Sequence, residues 1–448
     1  MKIFCLSLFI FLPFLIPFAH AETTTNILSP ETVVQRALAY HPALKGRNEE
    51  LHMATARRLE ADAGLKPRLD ARAQALHFEG LENSPVAPGG ITLPVVEDQY
   101  TASIGITQPL YTGGRVSQQR KSARYQEAAT YQTTVATAAD ITLNTLTVYW
   151  QWSKALAQID AFQTAVVRTE TQLADTRNLK QAGLATDNDL LANEVLLDQI
   201  QLQLQSARQQ EELSRIQLTQ LTGEKPAAGQ TPLTPDGLST AWSPTLEDAL
   251  GIALSNRPEL ASLRMNSQAS AALIEVARAE ARPQLALVAR YEQGNPNPHD
   301  FPPEDTWKDD AFIGAALTWN LFDGGLTRAR TAEARAKAAR DDYDTRALCE
   351  SIIAETRAAF LSVEYTLAQR STSRHAEMSA TRNLQVATDL WKNGAARHSD
   401  VLDAQAKLTG TTAQRIAAEA DVLIAEARLH HAIHWPPYPD DTQRNLSR

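Results

Sequence analysis

The chain has 448 residues, and its 52 Asp plus Glu outnumber its 43 Lys plus Arg, so the formal net charge is −9. This excess of acidic residues argues against nucleic acid as a partner. The two cysteines are Cys5 and Cys349, and Cys5 lies in the N-terminal apolar run, which excludes a disulfide framework and a cysteine metal site in the exported chain.

Residues 1–21 form the first predicted element. One cation, an apolar run over residues 3–18 and the small-x-small sequence at 19–21 are typical of a secretory signal peptide. A retained membrane anchor is the alternative, but Pro13, Pro17 and a run shorter than about 20 residues argue against it. No later apolar stretch is long enough for a transmembrane helix, so any entry into a membrane must use strands.

The remaining chain is an internal duplication. The sequence QPLYTGG at 108–114 recurs as WNLFDGG at 319–325, and KPRL at 66–69 recurs as RPQL at 282–285. A period this long is too large for a solenoid of small stacked units, so we expect the two halves to occupy equivalent positions in space. The predicted parts are a first repeat at 22–236, a second repeat at 237–434 and a C-terminal tail at 435–448.

Long helices dominate both repeats. Residues 115–182 and 326–393 keep helical periodicity without proline or internal glycine, so each is predicted to be one helix of roughly 104 Å. Helices this long need neighbours for stability, which favours a coiled-coil-like array. Shorter helices are predicted at 30–66, with Ser29 as the N-cap, and at 184–222, 245–282 and 395–434.

Four strands are predicted between the helices, at about 67–78, 100–110, 283–291 and 311–321. Each alternates with period two over a length close to the roughly 9–11 residues that cross an outer membrane. Four ordinary strands of a soluble domain are the alternative. A four-stranded sheet leaves two open edges, and a membrane barrel needs about eight strands or more. A membrane barrel would therefore have to be shared between chains. Two copies would give eight strands and three would give twelve, and only the larger number leaves an open lumen.

The duplicated order of helix, strand, loop, strand, Gly-Gly and long helix closely resembles the TolC family of outer-membrane efflux proteins. Gly394 followed by Asp-Val-Leu-Asp-Ala at 400–404 strengthens the resemblance, which covers about residues 29–434. It implies a mainly α fold with β: a long coiled-coil helical barrel in the periplasm, continuous with a trimeric 12-stranded transmembrane β-barrel to which each chain gives four strands.

The family also implies a function. Its members are homotrimers in outer-membrane lipid that dock a periplasmic adaptor protein and an inner-membrane pump. They serve as passive exit ducts of tripartite efflux or type I secretion systems. On this resemblance we expect an outer-membrane channel with its helical domain in the periplasm, without a cofactor and without enzyme activity.

The resemblance points to aspartates near the helix-hairpin tips. The family narrows its periplasmic aperture with aspartate rings, and Asp400 and Asp403 fall on the matching positions, one helical turn apart. Three copies would form two rings of carboxylates that attract cations. Asp189 is the first-half equivalent of Asp400. The alternative interpretation is a set of solvated helix-start acids favoured by the helix dipole.

The tips also carry the family's closed-state latch and its adaptor-docking turns. Trp391 stands where the family often has tyrosine, but the latch arginine aligns with Ala396, and an arginine follows one position later. The latch candidates are therefore Trp391, Arg397 and Asn188. The docking candidates are the tip-turn residues Gly183, Leu184, Gly394 and Ala395.

Two other classes of protein are weighed against the channel. A periplasmic coiled-coil adaptor or scaffold would have one helical hairpin, whereas this chain has two. An exported metal enzyme would rest on His430, His431 and His434, but no further ligand or Glu base completes a zinc site in the sequence. A cation at a helix C-terminus is the favoured role of these histidines.

Overall fold

The structure, a computed structural model, describes residues 26–80, 84–87, 91–93, 96–227, 229–236, 238, 244–300 and 303–435. The predicted signal peptide and all but the first residue of the predicted C-terminal tail lie outside these ranges. The helices are α1 (Pro30–Tyr40), α2 (Pro42–Ala63), α3 (Arg115–Gln181), α4 (Asp187–Thr222), α5 (Leu246–Asn256), α6 (Pro258–Ala279), α7 (Leu326–Lys392) and α8 (His398–Ala432). The strands are β1 (Asn26–Leu28), β2 (Arg68–His77), β3 (Ser84–Ala87), β4 (Ile91–Leu93), β5 (Asp98–Tyr111), β6 (Gln230–Pro232), β7 (Gln284–Asn295) and β8 (Lys308–Thr318).

Two helices of equal length, α3 and α7, set the dimensions of the molecule. Each has 67 residues, or about 100 Å at 1.5 Å per residue. Each starts directly after a glycine in the left-handed region, Gly114 at φ 90° and Gly325 at φ 94°, a conformation that side chains with a Cβ rarely adopt. α3 forms a hairpin with α4, α7 forms one with α8, and α6 packs against both long helices.

The predicted helices at 30–66 and 245–282 are each broken in two, which corrects the sequence interpretation. The breaks fall before Pro42 and Pro258, which occupy the first positions of α2 and α6. Proline has no N–H to donate and holds the preceding residue out of the helical region. His41 and Arg257 accordingly have extended ψ angles of 121° and 118°.

The strands of the main sheet lie close to the predicted ones but differ at their ends. The predicted strand 311–321 is replaced by β8, which begins at Lys308 and ends at Thr318. The chain turns at Trp319, whose indole N–H donates to the carbonyl of Ala281 at 3.1 Å. The strand predicted at 283–291 continues to Asn295.

The main sheet has the order β2-β5-β7-β8, and every neighbouring pair is antiparallel. Residues paired across an antiparallel ladder share a face, so the register sorts the side chains. One face is mostly apolar, and the polar residues that share it include Gln108 opposite Leu287, Gln293 opposite Ala102 and Asp309, and Asn295 opposite Tyr100. Its apolar and tyrosine members are Leu69, Ala71, Ala73, Ala75, Tyr100, Ala102, Ile104, Ile106, Leu285, Leu287, Ala289, Tyr291, Ala311, Ile313, Ala315 and Leu317.

The opposite face of the same sheet is mostly polar or small, and its larger apolar members are Leu76, Val288 and Phe312. It includes Arg68, Asp70, Arg72, Gln74, Thr101, Ser103, Gly105, Thr107, Arg290, Glu292, Asp310 and Gly314. β2 and β8 are the two edges of the sheet and have no further strand beside them within the described residues.

A second, two-stranded sheet was not anticipated from the sequence. β1 pairs with β6 in parallel, so the N-terminal segment joins the connection that follows α4. Tyr149 of α3 fixes this sheet: its hydroxyl donates to the carbonyl of Leu28 at 2.7 Å and accepts from the N–H of Leu233 at 2.8 Å. Burial raises the pKa of Tyr149 to about 12. Strands of three residues carry too little periodicity to be read from sequence.

A network of charges joins the two halves near the break between α5 and α6. Arg257 is 6% exposed and contacts Glu259 at 3.0 Å and Glu355 of α7 at 3.1 Å. His431 of α8 lies 2.8 Å from Asp140 of α3 and 3.8 Å from Glu355. The opposite charges hold the pKa of Glu355 down to about 2 and, against the effect of burial, raise that of His431 to about 9.

This network makes stability depend on pH in a defined direction. Because the His431 pKa is raised from 6.5 to about 9, its stabilisation is complete below pH 6.5 and is lost as the pH rises through about 9. We expect His431→Gln to lower the free energy of unfolding by about 1–2 kcal/mol near neutral pH. The difference in the free energy of unfolding between variant and wild type should disappear at about pH 10. Thermal unfolding followed by circular dichroism measures it. His375→Gln, at an exposed site of α7, is the control, and a difference that persists unchanged at high pH would contradict the assignment.

Candidate functional site

The two helical hairpins end in matching turns built around glycine. Gly183 and Gly394 have φ angles of 74° and 69°. In each turn the following residue closes a six-residue loop: the N–H of Leu184 donates to Leu179 at 2.8 Å and that of Ala395 to Leu390 at 2.8 Å, the arrangement of a Schellman cap. Leu184 is 75% exposed, so the turn presents an apolar side chain at the end of the rod that the two helical hairpins form.

The predicted aperture residues Asp189 and Asp400 both cap the helix that follows their turn. The carboxylate of Asp189 accepts from the N–H of Thr186 at 2.9 Å and from its hydroxyl at 2.6 Å, and these bonds lower the pKa of Asp189. Asp400 accepts from the N–H of Arg397 at 2.9 Å. Both acids therefore accept hydrogen bonds at the start of their helix, each through one oxygen of its carboxylate.

Asp400 and Asp403 lie together in a surface groove between α7 and α8, and both are exposed. Lys407, one turn after Asp403, lines the same groove. The apolar members of the groove, Val386 and Leu390, are 48% and 44% exposed. The groove thus combines two exposed acids with two apolar side chains that are about half exposed.

A buried polar cluster joins the two hairpins beside the tips. His398, the first residue of α8, is 8% exposed, and Asn193 of α4 is completely buried. The Nδ2 amide of Asn193 lies 2.7 Å from Nε2 of His398 and 3.1 Å from the hydroxyl oxygen of Thr176 of α3. Trp391 packs on the imidazole with its ring centroid 5.1 Å away. One residue from each of four helices therefore meets in this cluster.

Of the three latch candidates, Trp391 contacts this cluster. The predicted aperture residue Asp189 also acts on it, because its carboxylate charge favours the protonated imidazole of His398. Arg397 and Asn188 are exposed and stay outside the cluster. Sequence reasoning missed His398, Asn193 and Thr176.

A periodic signal for two of the missed residues was present in the sequence. Asn193 continues the buried register of α4 through Leu196 and Ile200, and His398 continues that of α8 through Val401 and Gln405. Both stand three or four residues from buried neighbours, on the inward face of a helix. A polar residue in an inward register is a candidate for a specific contact.

The histidines at 430, 431 and 434 lie at the end of α8, and among the described residues no three His, Cys, Asp or Glu side chains are placed to hold a metal ion. His431 carries the charge, through Asp140 and Glu355. Burial instead lowers the pKa of His430 and of His434.

Apolar side chains remain exposed along α4 and α7. α4 shows Leu191, Val195, Leu202, Leu213 and Ile216, and α7 shows Leu361, Tyr365, Met378, Val386 and Leu390. Several of these stand three, four or seven residues apart, which is typical of helices that pack against further helices. Among the described residues, no helix is both long enough and apolar enough to cross a membrane.

Comparison with known proteins connects these features. The protein-family model described as outer membrane efflux protein matches residues 33–224 and 249–433. The fusaric acid resistance protein FusA of Burkholderia cepacia is 26% identical over 315 residues, which are 68% of this chain and 58% of FusA, so the chain matches less than two thirds of that relative. The pyoverdine export outer membrane protein OpmQ of Pseudomonas aeruginosa is 24% identical over 412 residues, 90% of this chain and 83% of OpmQ.

The fold is also found among solved structures. The Campylobacter jejuni CmeC outer membrane channel superposes with a TM-score of 0.77 and 18% identity, covering 93% of this chain and 88% of that chain. This likeness shows that long helical hairpins and a four-stranded sheet are arranged alike in the two chains. The mainly helical, TolC-like fold class expected from the sequence is thereby confirmed.

Proposed function

The chain belongs to the outer membrane efflux protein family, and we propose that three copies form the passive exit duct of a tripartite efflux or secretion system. In this proposal the sheets of three chains close a twelve-stranded barrel in the outer membrane, and the helical hairpins form a tunnel in the periplasm. An inner-membrane pump supplies the energy, and a periplasmic adaptor joins pump and duct.

The sorting of side chains on the main sheet is the observation that carries this proposal. Its apolar face is exposed in the single chain, with Ile104 at 54%, Ile313 at 74% and Leu317 at 68%. Exposure of such a band to water is unfavourable. The hydrocarbon of a bilayer would cover it, as in outer-membrane barrels with an apolar exterior and a polar interior. The unpaired edges β2 and β8 run antiparallel to each other, so β8 of one copy can pair with β2 of the next.

The exposed stripes of α4 and α7 support the same assembly. Rotation of three chains about one axis brings α4 of one copy beside α7 of the next, and both surfaces carry apolar side chains at helical spacing. Burial of these stripes would stabilise the tunnel by the hydrophobic effect. A homotrimer therefore accounts for both the open sheet edges and the uncovered helix faces.

The two faces of β5 provide a test of the proposed barrel. Ile104→Arg places a charge on the apolar face, which costs about 2–4 kcal/mol at the centre of a bilayer, so trimer recovery from the outer-membrane fraction should fall sharply. Ser103→Arg, one residue away on the polar face, should assemble normally. Native electrophoresis of detergent-extracted outer membranes measures both. Recovery of wild-type protein in the soluble periplasmic fraction would contradict the channel and favour a periplasmic scaffold.

Asp400 and Asp403 are proposed to form the cation-attracting constriction, because three copies bring six exposed carboxylates together near the tunnel end. Replacing both by Asn keeps an oxygen that can cap α8 while removing the charge. We expect the ratio of cation to anion permeability in planar bilayers to fall toward one, with weaker block by divalent cations. Asp389→Asn, at an exposed acid of α7 outside the groove, is the control, and unchanged selectivity in the double variant would remove these residues from the pore.

The tip turns are proposed to dock the adaptor, since Leu184 and Ala395 lie at the free end of the rod. A photo-crosslinking amino acid at Leu184 or Ala395 should form a covalent product with a periplasmic adaptor protein in living cells, identified by mass spectrometry. The same group at Val167, which is 62% exposed on α3 but four turns from the tip, should not. Equal yields at Val167 and Leu184 would show that docking does not depend on the turns.

A further inference from the structure

The cluster around His398 is more polar than a permanent contact requires. Within one chain, the tip of the first hairpin (α3 and α4) meets the tip of the second (α7 and α8) through hydrogen bonds of Thr176, Asn193 and His398. Seven residues further from the tip on each of α3 and α8, Gln405 donates to the hydroxyl of Thr169 at 2.7 Å. Leu402 makes apolar contacts between these two sets of hydrogen bonds. Water can replace hydrogen bonds when such a seam parts, so this contact is built to be separable.

The hydrogen bonds fix which nitrogen of His398 carries the proton. The Nδ2 amide of Asn193 also donates to the carbonyl oxygen of Asp189 at 3.0 Å, and a carbonyl can only accept. This bond orients the amide, so Asn193 presents a donor to Nε2. The hydroxyl of Thr176 donates to the carbonyl of Gln172 at 2.9 Å and has no proton left for the imidazole. The Nδ2 atom of Asn193 lies 2.7 Å from Nε2, which is too close for two N–H donors that face each other. We therefore assign Nε2 as the acceptor and the proton of the neutral ring to Nδ1.

Protonation of His398 weakens this arrangement. An imidazolium would carry a second N–H, on Nε2, that faces the amide donor of Asn193, so the 2.7 Å hydrogen bond would be lost and the hydroxyl oxygen of Thr176, 3.2 Å from Nε2, would be the remaining acceptor. The Nδ1 atom is buried and has no hydrogen-bond partner among the described residues, so a positive charge on the ring would lack an acceptor there. Burying an ion without partners is costly.

The charged groups around the cluster do not offset this cost. From α4, Asp189 faces the imidazole and favours its charged form, but burial is the larger effect and lowers the pKa of His398. Beside the cluster, Arg177 of α3 and Glu194 of α4 pair with each other at 3.2 Å. On α7 the uncharged Trp391 makes the contact, and the charges flanking His398 on α8, Arg397 and Asp400, are exposed.

We propose that His398 is a pH-sensitive contact that holds the two hairpins of one chain together at the tip and releases them when the periplasm becomes acidic. The proposal rests on the proposed function only in placing this tip at the periplasmic mouth of the duct. A periplasm that equilibrates with an acidic medium would then open the mouth of the tunnel more easily.

The direction follows from the two states of the tip. Where the hairpins part, His398 is exposed and titrates near its ordinary pKa of about 6.5. In the closed tip its pKa is lower. The closed contact is at full strength above about pH 6.5 and weakens as the pH falls below that value.

The distance between the hairpins tests the proposal directly. Spin labels at Leu184→Cys and Ala395→Cys, in a Cys349→Ala chain, report this distance by pulsed electron resonance. The full chain is purified in detergent with an excess of unlabelled copies, so that each measured pair lies on one chain. We expect the wild-type distance distribution to shift between about pH 8 and about pH 5, with its midpoint at or below about 6.5. Channel activity is not needed for this readout, so it is distinct from a failure of the proposed function.

Three variants separate titration from simple packing. His398→Gln keeps an oxygen that can accept from Asn193 but cannot titrate, and its distances should not change with pH. His375→Gln, at an exposed histidine, should respond as wild type does. Asp189→Asn removes the charge that favours the imidazolium in the closed tip, so the release should occur at higher pH. The proposal is overturned if the wild-type distances do not depend on pH, if His398→Gln keeps the wild-type response, or if Asp189→Asn leaves the midpoint in place.

Discussion

A sheet with one apolar face and two unpaired edges is the constraint on which the rest of this molecule depends. Four antiparallel strands cannot satisfy their outer backbone groups or cover their apolar band within one chain. The proposed closure with neighbouring copies would solve both problems at once, and it gives the duplication a physical meaning. Each repeat contributes one strand hairpin and one helical hairpin, so the proposed trimer would have six similar units around one pore.

The long periodic elements of the fold were predictable because many residues report the same period. α3 and α7 contain no proline or internal glycine over 67 residues each, and alternation in the strands gives each side chain its face. The breaks at Pro42 and Pro258 were missed although proline is a local signal, because the helical pattern resumes on both sides. β1 and β6 could not be predicted from their own sequence pattern. Each strand has three residues, the two pair across about 200 positions, and both depend on contacts with Tyr149.

The candidate site was predictable in position but less so in chemistry. The family pattern placed Asp189, Trp391 and the two glycine turns at the tips, and the structure places them there. The residue that joins the hairpins, His398, has no counterpart in the first half, where Asp187 stands at the equivalent position and is exposed. A resemblance to a family predicts the roles of residues at positions that the family shares. The contact of His398 stands where the two halves of this chain differ, so the three-dimensional structure was needed to find it.

Two histidines in this chain are shifted in opposite directions, and the difference follows from their partners. His431 gains Asp140 and Glu355, so its charged form is stabilised and its pKa rises to about 9. His398 is buried and its Nε2 accepts from the amide of Asn193, so its neutral form is favoured. In the proposed release, acidification from neutral pH weakens the contact at His398 while His431 keeps its charge and its contacts with Asp140 and Glu355. These contacts would keep α3, α7 and α8 together while the tip parts, so the proposed motion is confined to the tip.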